Sequence, residues 1–399
     1  MLKGIKVVEC AAFLVGPRAT AHLSDMGADV VKIEHPQGGD PMRNVSFRGA
    51  LPPLTEINYV IELENRGKRS VTLDLNTEEG RQVAHRLVKE ADIFLSNFQA
   101  PVLRKLKMDY ATLSAINPRL IYAMISGWGM HGPDKDRPGF DYSVFAESGL
   151  MDAFGEPDTP PVTCRPGFGD HITALSTAYG IMSALYHREK SGQGQMVHAS
   201  ILGGLIDAGG LALQGHLSTG EEAGRVSQKD QSNPLWNFYG TKDGRYIQFA
   251  MAQSDRHWAD FCQELEIQKY QNDERFLDSL VRDKNRHQLI EIIGGVMASK
   301  TKDEWLKRFQ GKNLIYAAVA TYPELAKSPQ VWENGNIIEI EHQSRGKMSM
   351  IGFPVDFSAT PGSVRGGAPE LGQHTEEVLL DLGYSWEDIG ALKDKGVIL

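Results

Sequence analysis

The chain has 399 residues, a formal net charge of −9 at pH 7 and an ordinary soluble-protein composition. That length exceeds one usual core, so two domains are expected, and the acidic balance gives no electrostatic reason to expect nucleic acid. Cys10, Cys164 and Cys262 stand far apart with no CxxC pair, which argues against a disulfide framework or zinc site and fits a reducing cytoplasm.

Residues 1–10 pair only two apolar residues before a charge, so no secretory signal is read there. Residues 5–9 then read as a strand, 18–26 as a helix and 30–33 as a strand. The alternation continues with a strand at 70–75, a helix at 78–90, a strand at 93–96, short helices to 116 and a strand at 120–126. A long helix follows Asp170 and closes at Gly192, and 195–200 reads as one more strand. Strands alternating with helices imply an α/β fold with a Rossmann-like parallel sheet covered on both faces. Residues 201–213, the most apolar stretch, contain Asp207 and four glycines and are too short to span a membrane.

Residues 221–232 are polar and poorly periodic and read as a linker. Lys242-Asp243-Gly244 between 237–241 and 245–251 is a hairpin signal, and helices are expected at 255–266, 282–298 and 301–309. The expected organisation is a large domain over 1–220, a small α+β domain over 225–325, and a segment over 330–399 that returns to the large domain. That segment carries a strand at 337–342 and a helix at 375–382.

The first strand–helix junction, residues 10–18, lacks GxGxxG, so a dinucleotide is not expected. GxxxxGK[ST], HExxH and GxSxG are absent from the sequence, and the twelve histidines make no metal pair at i, i+4. Gly127-Trp128-Gly129-Met130-His131-Gly132-Pro133 follows a strand end, where ligands of open α/β sheets bind; it reads either as a ligand loop or as a tight turn with His131 solvated. The basic runs 65–69 and 104–107 read either as phosphate neutralisers or as solvated surface. In Arg165-Pro166-Gly167-Phe168-Gly169-Asp170, the carboxylate of Asp170 stands on a glycine hinge where the long helix begins. It reads either as a plain N-cap or as a nucleophile.

Several segments in order resemble the class III CoA-transferases, the family of formyl-CoA transferase and carnitine CoA-transferase, with α-methylacyl-CoA racemase as kin. They include Gly16-Pro17, Asp25-Met-Gly-Ala-Asp-Val-Val-Lys-Ile-Glu34, Gly39-Asp-Pro-Met-Arg43, Asn65-Arg-Gly-Lys-Arg-Ser70, Gly169-Asp170, His187-Arg-Glu-Lys-Ser-Gly-Gln-Gly194 and Leu371-Gly-Gln-His-Thr375. The resemblance implies that Asp170 is the catalytic nucleophile, that acyl-CoA is the substrate with no tightly bound cofactor or metal, and that two chains interlock. A homodimer is implied, with a paralogous partner as the alternative. It places CoA against Leu14, Val15, His35, Leu73, Asp74, Leu75, Asn76, Asn97, Phe98, Gln99, Lys105, Pro138, Gly139, Phe140 and Asp141.

Departures from the family narrow the substrate. Leu14 and Phe140 stand where formyl-CoA transferase has glutamine and tyrosine, which suits a larger or less polar acyl group. Phe140 also stands where the racemase branch has histidine, so an α-proton exchange would lack half of its acid–base pair. A carboxylate of ordinary pKa, about 4, would attack a thioester without a base, with glycine amides at 127–132 or 167–169 as oxyanion donors. A racemase, and a CoA-thioester-binding subunit without turnover, remain the alternatives.

Overall fold

In the computed structural model, which describes residues 1–44, 51, 52, 54, 57–222 and 224–399, the strand–helix alternation of the N-terminal half builds one parallel sheet. Its strands are β1 (Lys6–Cys10), β2 (Asp29–Glu34), β3 (Arg69–Thr72), β4 (Ile93–Ser96), β5 (Ile121–Ser126) and β6 (Met196–Ser200), in the order β3-β2-β1-β4-β5-β6. Every neighbouring pair is parallel.

Successive strand residues point to opposite faces, and both faces are buried. Val8, Val31, Val71, Phe94 and Tyr122 enter a core that includes Val83 and Leu87 of the helix Glu78–Glu90. Val7, Val30, Ile93, Ile121 and Ile125 enter another with the helices Val15–Asp25 and Phe168–Ser191. Burial on both sides explains why these strands read as near-continuous apolar runs. The first helix starts three residues before the expected 18. Pro17 lies within its first turn, where a missing N–H costs no helical bond.

The C-terminal segment closes the sheet's β3 edge. His374 N–H donates to the Ser70 carbonyl at 2.9 Å, Thr72 N–H to Thr375 Oγ1 at 3.0 Å, and Leu399 N–H to Thr72 Oγ1 at 3.0 Å. An edge that would otherwise template a foreign strand is thereby occupied. The segment also holds an antiparallel pair, β10 (Ile337–His342) and β11 (Gly346–Ile351). A last helix, Trp386–Asp394, had no counterpart among the expected elements and adds Ile389 and Leu392 to the core. Residues 201–219 form two further helices, Ile201–Ala208 and Gly210–Thr219. Among the described residues no helix is long and apolar enough to cross a membrane.

Residues Met1–Met151, Thr163–Glu221 and Pro329–Leu399 form one compact unit, and Asp152–Val162 with Glu222–Ser328 form another. The second unit carries an antiparallel sheet of β7 (Phe238–Gly240), β8 (Tyr246–Phe249) and β9 (Tyr316–Ala318) over Trp258, Phe261, Trp305 and Phe309. The β7–β8 turn has Gly244 at φ 70°, as the Asp-Gly signal required. The helix expected over 282–298 is two, Ser279–Lys284 and Arg286–Met297. They part at Asn285, whose side-chain NH2 donates back to the carbonyls of Arg275 and Val281.

Candidate active site

The chain leaves β1 toward β2 on one side and β4 toward β5 on the other, so a crevice opens between the loops that follow β1 and β4. Both loops are latched. Asn97 Oδ1 accepts from Ala12 N–H at 3.0 Å while its Nδ2 donates to the Ala12 carbonyl at 2.7 Å. Its amide is thus spent on the backbone. Asp40 accepts Phe13 N–H at 3.1 Å through Oδ1 and the Lys32 ammonium at 2.9 Å through Oδ2, and Lys32 also donates to Glu9 at 2.7 Å. Phe13 is held at φ 65°, a conformation rare for an aromatic residue. Its ring meets Phe140 edge to face at 5.5 Å.

The 65–69 basic run serves this scaffold. Arg66 is buried against Asp25, and Lys68 is buried against Glu9 at 2.8 Å. For these two residues neither phosphate binding nor surface solvation holds.

The hinge before the long helix is built from a distance. Gly167 sits at φ 90° and the helix starts at Phe168, which makes Asp170 its third residue and not its cap. The capping is done by Asp141, whose two oxygens accept Gly167 N–H at 2.7 Å and Gly169 N–H at 2.8 Å. A methyl group on Gly169 would lie 2.6 Å from Asp141 Oδ1, so only glycine fits. Two expectations fall here. Asp170 is not a plain N-cap, and the amides of Gly167 and Gly169 are already taken and cannot hold an oxyanion.

Asp170 is 7% exposed, and among the described residues none donates a hydrogen bond to its carboxylate. Burial first, then the charges of Asp141 and Glu64, push its pKa up to about 8, so the ordinary carboxylate expected from sequence is also corrected. Glu64 itself accepts from His171 Nε2–H at 2.9 Å.

A cavity of about 370 Å³ has Asp170 on its wall together with Leu14, Val15, Asn97, Phe98 and Gln99. Pro138, Gly139 and Phe140 line its other side, with Phe13, Ser126 and Gly127. Gly127 and Gly139 pack so closely that a Cβ on the first would lie 3.0 Å from the second, while Gly129 and Gly132 take positive φ in a tight turn. A second cavity of about 290 Å³ shares Phe13 and Phe98 with the first and is lined by His35, Leu73, Leu75 and Asn76. Asp74 lies behind that wall, accepting from Asn76 and standing 3.6 Å from His35. Asp141 lies behind the hinge. Lys105 is exposed and lines neither cavity; its neighbour Arg104 lines a third, of about 320 Å³, with Lys135 and Arg137.

Sequence reasoning missed Phe13 and Glu64, while Arg104 falls in the basic run 104–107 that it singled out. Phe13 stands three residues past the end of β1 and so carried a signal. Glu64 carried none, because its partner His171 is 107 residues away. Among the described residues no group of three metal-ligating side chains is present.

The model of CoA-transferase family III matches residues 2–375. The chain is 33% identical over 404 residues to the (R)-2-hydroxy-4-methylpentanoate CoA-transferase of Clostridioides difficile, covering 100% of this chain and 99% of that protein. It is 32% identical over 406 residues to the cinnamoyl-CoA:phenyllactate CoA-transferase of Clostridium sporogenes, covering 100% and 98%. The crystal structure of a CaiB/BaiF family protein from Brucella suis superposes with a TM-score of 0.83 at 30% identity, covering 95% of this chain and 98% of that one.

Proposed function

The chain belongs to CoA-transferase family III, and on that premise we propose that it moves CoA from an acyl-CoA to a free carboxylic acid through covalent intermediates on Asp170. The observation that carries this reading is a partnerless, buried carboxylate on a purpose-built glycine hinge, lining the cavity at the sheet's switch point. In this reading acyl-CoA lies along the crevice, from the pocket of His35, Leu73 and Asn76 toward Asp170.

The Asp170 carboxylate attacks the thioester carbonyl and expels CoA thiolate, leaving a mixed anhydride. The thiolate attacks the aspartyl carbonyl, the donor acid departs, and an aspartyl-CoA thioester remains. The acceptor carboxylate attacks that thioester to give a second anhydride and thiolate, which then attacks the acceptor's acyl carbon. New acyl-CoA leaves and Asp170 is restored. Anhydride and thioester are both neutral at Asp170, so the burial that disfavours its charge favours the acylated states and leaves a weakly solvated, reactive anion when it does ionise. Gly127 lines the same cavity, so its backbone is the remaining glycine candidate to face the oxyanion.

Leu14, Phe13 and Phe140 offer an apolar wall, and the two relatives named above act on a branched aliphatic and an aromatic acid. An apolar acyl group, aliphatic or aromatic, fits this chain better than formyl or oxalyl, which would leave polar groups unpaired. The enzyme acts as a homodimer in a reducing compartment, a reading supported by exposed apolar helix faces and three free cysteines. A racemase gains nothing here, since Phe140 lines the cavity where that chemistry needs an imidazole.

The test is an exchange screen by mass spectrometry, with a panel of acyl-CoAs against a panel of acids, for wild type and Asp170→Asn. New acyl-CoA is expected from the wild type alone. Undiminished exchange by Asp170→Asn removes Asp170 from the chemistry.

A further inference from the structure

Phe13 holds a conformation that an aromatic residue does not favour, and packing of the fold does not account for it. At φ 65° it stands in the left-handed region, where glycine is at ease and a bulky side chain is strained. Its ring is 37% exposed and, among the described residues, belongs to none of the apolar cores. Backbone strain of this kind persists where the surroundings impose it, and it gathers at functional sites.

Here the surroundings are a cradle of buried side chains. Lys32, its side chain fully buried, donates to the Ala11 carbonyl and to Asp40 Oδ2, both at 2.9 Å. Asp40 Oδ1 in turn accepts Phe13 N–H at 3.1 Å and Met42 N–H at 3.0 Å. Ala12, between the two, is clasped by Asn97. Three consecutive residues are thus fixed, and what they fix is the place of one ring. Phe13 and Phe98 are the two residues that line both the cavity of Asp170 and the cavity of His35, Leu73 and Asn76. The Phe13 ring also meets Phe140, a third ring on the Asp170 cavity, edge to face at 5.5 Å.

We propose that the Phe13 ring retains CoA between the two covalent stages: it closes on the pantetheine arm where the arm passes from one cavity to the other, so that the thiolate released at Asp170 stays beside the anhydride. The inference rests on Asp170 being the nucleophile. In that reading the thiolate leaves the acyl carbon and must attack the aspartyl carbonyl next. If it escapes, water takes its place. Water oxygen bonds to an anhydride carbonyl, the other carboxylate leaves, and the sum is acyl-CoA plus water giving free acid and free CoA, with Asp170 restored and nothing transferred. An apolar ring at the junction opposes both the escape and the hydrolysis, because it covers the arm and displaces water from the reacting centre.

Phe13→Gly tests this, because it removes the ring and relieves the backbone together. With an acyl-CoA and an acceptor acid present, free CoA is read by a chromogenic disulfide and new acyl-CoA by mass spectrometry. The ratio of free CoA to new acyl-CoA is expected to rise about tenfold over wild type, the factor that loss of one aromatic contact implies. The melting temperature is expected to stay level, since relief of strain offsets the entropy of glycine. An unchanged ratio overturns the proposal; so does a steep fall in melting temperature, which would make the ring a part of the fold. Should Phe13→Gly turn nothing over, calorimetric titration with CoA replaces the ratio: affinity weaker by about tenfold supports retention, and wild-type affinity overturns it. Full exchange by Asp170→Asn sinks the nucleophile reading itself, whereas a dead Asp170→Asn beside a fully coupled Phe13→Gly sinks only the role of Phe13.

Discussion

Asp141 positions the candidate nucleophile, Asp170, by accepting both hinge amides, at 167 and 169, on its two oxygens. In Asp141→Asn one of those amides faces an NH2 group, leaving a buried donor unpaired at a cost of about 1–3 kcal/mol. Chemical denaturation reads that loss, and exchange is expected to fall at least tenfold as Asp170 drifts from the cavity wall. Asp170 itself makes stability depend on pH. Its folded pKa, about 8, lies above the ordinary carboxylate value, so between about pH 4 and pH 8 the native protein keeps a proton that the unfolded chain releases. The native state therefore loses stability as pH rises through this window, by up to about 1.4 kcal/mol per unit from this group. Asp170→Asn does not titrate, so its stability relative to wild type should climb from pH 4 to pH 8 and then level off. A constant difference across that range contradicts the raised pKa. The candidate nucleophile was legible in the sequence because glycines flank it before a long helical run. Its environment was not, because Asp141 and Glu64 reach it from 29 and 106 positions away along the chain.

At the scale of elements, the loop after β1 is held by groups from β2, from β4 and from the turn at Asp40. Asn97, expected as a CoA contact, lines the cavity, and its amide clasps Ala12 from both sides. Asn97→Ala removes two hydrogen bonds, so the latch predicts about 1–3 kcal/mol less stability without any ligand present, together with a raised KM for acyl-CoA. Unchanged apo stability with a raised KM would mean that Asn97 touches CoA and does not position the loop. The alternation of strands and helices was legible because period and turn residues are local. The tail helix Trp386–Asp394 was not, since its apolar residues are few, and neither were the helices after β6, where the glycines at 203, 204, 209 and 210 obscure the pattern. The run Asn65–Arg69 shows the limit most plainly. Charges read as surface or ligand-binding are partly buried against Asp25 and Glu9, partners that no local pattern reveals.

At the scale of the whole molecule, one chain leaves apolar surface uncovered. Leu175, Tyr179 and Tyr186 form a stripe along the long helix at spacings of four and seven, and Tyr179 is 76% exposed. The helix Gly210–Thr219 buries none of its residues, and its Leu211 is 95% exposed. Ten residues without packing do not hold a helix in water, and contiguous apolar patches mark interfaces. A second copy of the chain is the occupant that the interlocked-dimer reading supplies. Sedimentation equilibrium at micromolar concentration should then give twice the mass of one chain. Placing a charge in that surface, as in Tyr179→Asp with Leu211→Asp, should shift the protein toward one chain and lower exchange with it, because Tyr179 lies on the same helix, Phe168–Ser191, that carries Asp170. Far-ultraviolet circular dichroism of the same variant separates this from global unfolding, since only a modest loss of helix is expected. A wild type that sediments as a single chain while exchanging CoA at full rate would leave these faces unexplained and would end the homodimer reading.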